Sequence, residues 1–135
     1  MKKSKNQHSL LRVIDANINR YKEGIRVVED IFRYLYNDKN ISSQLKNLRH
    51  IKLPIPQTEL LKQRDSINDV LKTSTTSEQT RDNLENIIIA NLKRAEESAR
   101  VLEELFKLSD IETSEIFKSN RYKLYNLEKQ ILLNR

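Results

Sequence analysis

The stretch Val13–Asp30, with the sequence VIDANINRYKEGIRVVED, decides the fold because it returns 74 residues later as Ile87–Glu104, IIIANLKRAEESARVLEE. Most of the matching positions are polar, whereas a repeat kept for packing alone would match in its apolar residues. The polar matches therefore indicate residues with a specific role. The identical pairs are Ile14/Ile88, Ala16/Ala90, Asn17/Asn91, Arg20/Arg94, Glu23/Glu97, Arg26/Arg100, Val27/Val101 and Glu29/Glu103.

Both copies have the apolar spacing of a helix, since apolar residues recur every three or four positions. The apolar face is unusually wide, because at about 100° per residue Val13 and Val27 lie well away from Ile14 yet still extend it. Burying an amide or a guanidinium without partners is costly, so any polar residue in this sector needs a ligand or a network. The polar residues that fall inside the sector are Asn17, Arg20, Asn91 and Arg94.

Length and composition favour one all-α domain, residues 1–135, with a modest core. The chain has no cysteine and no apolar run near the roughly 20 residues of a membrane span, so we expect a cytoplasmic protein. Half of the net charge of +6 comes from Lys2, Lys3 and Lys5, and the sequence contains no recognised nucleic-acid-binding motif. Nucleic-acid binding is therefore a weak hypothesis.

The repeat predicts two helical hairpins, each a long helix followed by a short one, in a pseudo-twofold four-helix arrangement with a long central loop. Ser9 is the expected N-cap of the first helix, Thr76 with Gln79 resembles a capping box for the third, and Ser109 with Glu112 one for the fourth. The predicted segments are a disordered basic tail at 1–8, a first repeat at 9–52, a connecting loop at 53–76 and a second repeat at 77–133.

The repeated polar residues predict an anion site where the two long helices face each other. Guanidinium forks bind phosphate and carboxylate bidentately, and Arg49 and Arg121, inward on the shorter helices, could join the cluster. The alternative is a buried polar network tied to Glu29 and Glu103. Other chemistries have little support. His8 and His50 make no metal cluster, and a single glycine, Gly24, excludes a glycine-rich phosphate loop.

Several motifs resemble the helical domain that precedes the barrel of some bacterial thiamine-phosphate synthases. The chain departs from that family in lacking the barrel, which makes it a free-standing version without synthase activity, and in having Leu71 where glycine is usual. The motifs that carry the resemblance are Leu11–Asn17, Arg20, Glu23–Asp30, Leu48–His50, Arg64-Asp65, Asn68–Val70, Ala90–Arg94, Ala99–Glu104, Arg121-Tyr122 and Leu127-Glu128.

The resemblance implies a role in thiamine biosynthesis, with possible kinase activity on hydroxymethylpyrimidine phosphate. It adds Arg64, Asp65 and Asp69 to the expected substrate site, and ATP and Mg²⁺ as cofactors if the protein is a kinase. No catalytic residue and no metal ligand is assigned. Two other functions stay open, a non-catalytic docking module for a separate synthase barrel and a helical nucleic-acid binder.

The wide apolar sector also predicts a homodimer, because one neighbouring helix does not cover it. The loop from Arg64 to Ser77 has few apolar anchors, so we expect it to be the most mobile internal segment.

Overall fold

The computed structural model describes residues 2–134, with side chains at positions 10–76 and 78–134, and this part of the chain is all-α without strands. None of the helices found there is long and apolar enough to cross a membrane. The elements are α1 (Lys2–Asp30), a π-helical turn (Ile31–Leu35), α2 (Lys39–Arg49), α3 (Gln57–Gln63), α4 (Thr76–Gln79), α5 (Leu84–Phe106) and α6 (Ile111–Leu133).

Helix ends follow local chemistry that recurs in both halves. The first long helix stops at Asn37, whose φ of 50° lies in the left-handed region that asparagine tolerates. The backbone N–H of Asp38 then bonds Phe32 O at 2.8 Å, and that of Asp110 bonds Phe106 O at the same distance. Both aspartates cap the next helix, Asp38 by accepting from Ile41 N and Asp110 by accepting from Thr113 N.

Four expectations about boundaries are corrected. Helix α1 begins at Lys2, in place of the tail expected at 1–8, since no glycine or proline interrupts that segment; Met1 lies outside the described residues. The segment opened by Thr76 is a separate short helix, and α5 starts at Leu84 because Asn83 caps it. Asp110, not Ser109, caps α6. The second hairpin pairs two helices of 23 residues, so the long–short pattern holds for the first hairpin alone.

The core lies where α1 and α5 cross and α6 and α2 cover them. A Cβ added to Gly24 would stand 2.7 Å from the carbonyl oxygen of Asn91, so the crossing depends on glycine at that point. Tyr21 fills the centre, with its ring edge-on to Phe117 at 5.5 Å and its hydroxyl donating to Leu48 O at 2.7 Å. Burial raises the pKa of this tyrosine.

Each hairpin is closed by a buried glutamate and an arginine from the following helix. Arg49 grips Glu29 in a bidentate pair of 2.6 and 3.1 Å, and Arg121 binds Glu103 Oε1 through Nε and Nη2 at 3.2 and 2.9 Å. Burial alone would raise the pKa of Glu29, but the hydrogen bond and charge of Arg49 lower it. These four residues form the buried network that the sequence offered as the alternative to an anion site.

A third group of charges lies between α5 and α6. Glu96 is 3 % exposed, and Lys93 bridges Glu96 Oε1 at 3.3 Å and Glu128 Oε1 at 3.0 Å. The Oε2 atoms of both glutamates are buried and accept no hydrogen bond from the described residues. Burial, followed by the charge of Glu128, raises the pKa of Glu96 to about 7. One proton on this carboxyl group supplies the donor that the pair lacks.

Replacing Arg121 by methionine should lower the free energy of unfolding by about 3 kcal/mol, because Glu103 then stays buried without its main partner. The double variant Arg121→Met, Glu103→Leu should recover most of this loss. Chemical denaturation measures both, with Arg26→Met as control, since the Arg26–Asp30 pair is exposed and worth about 0.5 kcal/mol. Equal stability of the single and double variants would show that the buried carboxylate is not the cause.

Glu96 should make stability fall as pH rises from about 5 to 8. Its pKa is 4.5 in the unfolded chain and about 7 in the folded one, so the folded state binds more protons in that window. Glu96→Gln should flatten this dependence and raise the melting temperature at pH 8, whereas Glu115→Gln at an exposed position of α6 should change neither. Melting curves of the three proteins across this pH range are the measurement, and an unchanged slope in Glu96→Gln would contradict the assignment.

Candidate functional site

The first repeat and the central loop enclose a cleft of about 520 Å³, within the range of small-molecule sites. One wall is α1 and the other is the turn that follows α3. Among the residues lining it are Asp15, Asn17, Arg20, Arg64, Asp65 and Asp69. The cleft thus brings together five of the predicted site residues, two from the repeat and three from the loop motif.

An ion pair between Asp15 and Arg64 builds this cleft. Arg64 Nε and Nη2 bond the two carboxylate oxygens of Asp15, each at 2.8 Å, and the carboxylate is almost fully buried. The hydrogen bond to Asp15, reinforced by its charge, raises the pKa of Arg64. Arg12 adds a second tie by donating from Nη2 to the backbone oxygen of Asp65 at 3.0 Å. Two arginines therefore fasten the loop to α1.

The acidic residues of the loop shape its turn. Asp65 accepts from the backbone N and the side-chain Nδ2 of Asn68, at 3.1 and 2.7 Å, and these bonds lower the pKa of its carboxyl group. Asp69 Oδ1 accepts from the backbone N of Leu71 at 2.9 Å. No group of three or more His, Cys, Asp or Glu that could hold a metal occurs in the described residues. Both oxygens of Asp65 and Oδ1 of Asp69 therefore take part in the turn.

Among the arginines of the cleft, Arg20 is the one that remains available to bind a ligand. It is exposed and makes no hydrogen bond or ion pair with any other residue whose side chain is described, whereas Arg12 and Arg64 are engaged. Asn17 is buried and donates from Nδ2 to the Val13 carbonyl at 2.9 Å. The cleft therefore presents one free guanidinium beside a rigid wall.

The remaining predicted site residues lie elsewhere. Asn91 repeats the contact of Asn17 by donating to Ile87 O at 2.8 Å. Arg94 does not line the cleft, and Arg49 and Arg121 are held by their glutamates. Arg20 and Arg94, which the helical wheel places within the apolar sector, are both exposed in the described chain. No described helix covers the side of the sector on which they lie, and the anion site that they were predicted to share stays a prediction.

Sequence reasoning missed six lining residues, among them Arg12, Asp15 and Asn19. Asp15 aligns with Ile89 in the second copy, so a search for repeated polar residues passes over it. The family motif that begins at Leu11 contains both Arg12 and Asp15, and it was the available signal. Two smaller clefts, of about 340 Å³ near Arg33 and Lys46 and about 390 Å³ near Lys22 and Lys52, contain fewer predicted residues.

Residues 12–130 match the model of the ThiD2 family. The chain belongs to this family. It is similar to thiamine-phosphate synthases of Synechocystis sp. (37 % identity over 125 residues, 92 % of this chain and 36 % of that protein) and Thermosynechococcus vestitus (37 % over 126 residues, 93 % and 36 %). The synthase of Rhodopirellula baltica shares 34 % over 131 residues, 93 % of this chain and 35 % of that protein.

The ThiD2 chain thus spans about a third of the length of the curated relatives it matches, as 36 % and 35 % coverage show. No solved structure gives a significant match. The resemblance of the sequence motifs to the helical domain of thiamine-phosphate synthases is confirmed. The association with thiamine biosynthesis is confirmed with it. The matched region, 12–130, contains the whole cleft.

Asp15→Asn should loosen the loop, because an amide cannot replace both charged hydrogen bonds to Arg64. Amide hydrogen exchange at 64–71 should then accelerate well beyond its wild-type rate, which we already expect to exceed that of the helix centres. Asp30→Asn, which disturbs an exposed ion pair on the same helix, is the control and should leave the loop unchanged. If the loop amides were equally protected from exchange in the wild type and in Asp15→Asn, the Asp15–Arg64 pair would not be what holds the loop to α1.

Proposed function

We propose that this ThiD2 domain binds a phosphorylated pyrimidine precursor of thiamine in the cleft between α1 and the central loop. The observation that carries the proposal is the free guanidinium of Arg20 on a cleft whose other arginines are neutralised or held. An arginine without a protein partner suits a phosphate group, since its fork binds two oxygens at once. The family and its synthase relatives supply the pathway.

The rest of the cleft suits the pyrimidine end of such a ligand. Val13 and Ala16 add apolar side chains to its lining, and Asn19 and Asp65 add polar ones. Apolar walls with a few placed polar groups are typical of small-molecule sites. Transfer of a second phosphate, the activity that the resemblance implies, calls for a divalent ion, which one or two carboxylates together with the phosphates usually hold. Our proposal for this cleft is binding.

The alternative is a docking module for a separate synthase barrel. One observation favours it, because the matched synthases carry about two thirds of their length outside the region that resembles this chain. A docking module would bind no pyrimidine phosphate on its own. Nucleic-acid binding, the third hypothesis, gains no support from the described residues and would show itself as a strongly salt-dependent affinity.

Hydroxymethylpyrimidine phosphate should raise the melting temperature of the wild-type protein, because a ligand that binds the folded state alone stabilises it by about 2.7 kcal/mol at 100 times its Kd. Arg20→Met should abolish this shift and leave the ligand-free stability nearly unchanged, since the side chain is exposed and the methionine keeps its apolar stem. Thermal melts with and without ligand measure both effects.

Arg26→Met is the matched control, because Arg26 lies on the same helix outside the cleft and should keep the full shift. Arg94→Met tests the sequence-based prediction that Arg20 and Arg94 share one anion site: a lost shift supports sharing, and a retained shift assigns the anion to the cleft alone. No shift in the wild type would reject binding and favour the docking module. An unchanged shift in Arg20→Met would reject the role of Arg20.

A further inference from the structure

The two long helices carry an exposed stripe that the repeat preserves better than the core. On α1 the stripe consists of Val13, Ala16, Arg20, Glu23 and Val27. On α5 the equivalent positions are Ile87, Ala90, Arg94, Glu97 and Val101. Four of these five pairs are identical and the fifth exchanges valine for isoleucine. We call these ten residues the repeat stripe.

The buried face has diverged by comparison. Six pairs of equivalent apolar residues are buried in both copies. Four of them differ, Ile18/Leu92, Tyr21/Ala95, Ile25/Ala99 and Val28/Leu102, and two are identical, Ile14/Ile88 and Phe32/Phe106. A core that packs one copy against the other can exchange large for small residues across the contact. An exposed stripe faces no such neighbour within the chain, so its near identity indicates a contact that both copies make in the same way.

The charged residues of the repeat stripe form no hydrogen bond or ion pair with the residues whose side chains are described. They are the exposed Arg20, Glu23, Arg94 and Glu97, and Glu23 interacts with Arg64 through its charge alone. Other repeated charges are paired, Glu29 with Arg49 and Glu103 with Arg121. Three apolar members of the stripe are exposed as well, Val13 to 41 %, Val27 to 38 % and Val101 to 36 %, whereas Ile87 and Ala90 are half-buried.

We propose that the repeat stripe is the surface on which a second copy of this chain docks. Its positions advance by alternating steps of three and four, the spacing of a helix seam that packs against another helix. A twofold contact requires a self-complementary patch. A twofold axis that passes midway between Arg20 and Glu23 places each arginine opposite the glutamate of the second copy, and an axis midway between Arg94 and Glu97 does the same on α5.

Charge complementarity therefore favours a second copy of this chain as the partner that binds the repeat stripe. In this register Ala16 lies opposite Val27 and Ala90 opposite Val101, so small and medium apolar residues flank the charged pairs and allow close approach of the helices. The two Arg–Glu pairs on each copy fix the register and oppose a shifted or parallel arrangement, in which like charges would meet. Val13, Ala16 and Arg20 belong both to the stripe and to the cleft.

The test is the mass in solution by light scattering at micromolar concentration. The wild type should have twice the chain mass of 16.0 kDa. Arg20→Glu combined with Arg94→Glu should give a monomer, because like charges then meet across the contact. Adding Glu23→Arg and Glu97→Arg restores opposite charges in every Arg–Glu register, so this fourfold variant should dimerise again. Lys118→Glu on the exposed face of α6 is the matched charge reversal outside the stripe and should stay a dimer.

A wild-type monomer would overturn the proposal, and the repeat stripe would then have to bind a partner other than a second copy of this chain. A dimer that survives Arg20→Glu, Arg94→Glu would place the interface elsewhere, and a fourfold variant that stays monomeric with wild-type helicity would refute the pairing of arginine with glutamate. Circular dichroism of each variant checks folding, and the wild-type mass decides the central point even if a variant does not fold.

Discussion

The fold depends on one interaction made twice, a buried glutamate near the end of a long helix held by an arginine of the next helix. The two glutamates, Glu29 and Glu103, are 74 residues apart in the sequence, and their partners, Arg49 and Arg121, are 72 residues apart. The two pairs close the two hairpins in the same way. A carboxylate with its side chain 1 to 5 % exposed must keep its partner, because an unpaired buried charge is strongly destabilising. The pair therefore dictates where the second helix of each hairpin packs.

The candidate site arises where the two halves differ. Asp15 corresponds to Ile89, and Asn19 corresponds to Lys93, so the second copy has neither the carboxylate that binds Arg64 nor the amide beside it. The second copy instead carries the Lys93–Glu96–Glu128 group against α6. The cleft combines repeated residues, Asn17 and Arg20, with unrepeated residues of α1 and the loop. An internal duplication in this protein thus supplies a scaffold on which one half became specialised.

Sequence periodicity was sufficient for the helices and for most of the core, since residues such as Ile14, Val28 and Leu102 are buried as their spacing predicts. It could not decide whether Arg20 is covered, because a helical wheel shows which sector is apolar and not whether another element packs there. The Asp15–Arg64 pair was equally out of reach, since it joins residues 49 positions apart and its partner lies in a loop without regular spacing. Arg64, Asp65 and Asp69 entered the expected site through the family motif alone.

Arg20 and its neighbours Val13 and Ala16 belong both to the cleft and to the repeat stripe, so the two proposals are thermodynamically coupled. If one guanidinium serves a phosphate and also a glutamate of a second copy, each event changes the free energy of the other by the same amount. If the phosphate and the glutamate compete for Arg20, ligand binding favours the monomer. If the dimer contact leaves one edge of the guanidinium free for the phosphate, the dimer instead holds the arginine in position for its ligand. Arg94 lines none of the three clefts described above, so under the two proposals it can hold the dimer contact without this conflict. Under the same proposals, the duplication allows one arginine to serve the ligand while its repeat partner keeps the interface.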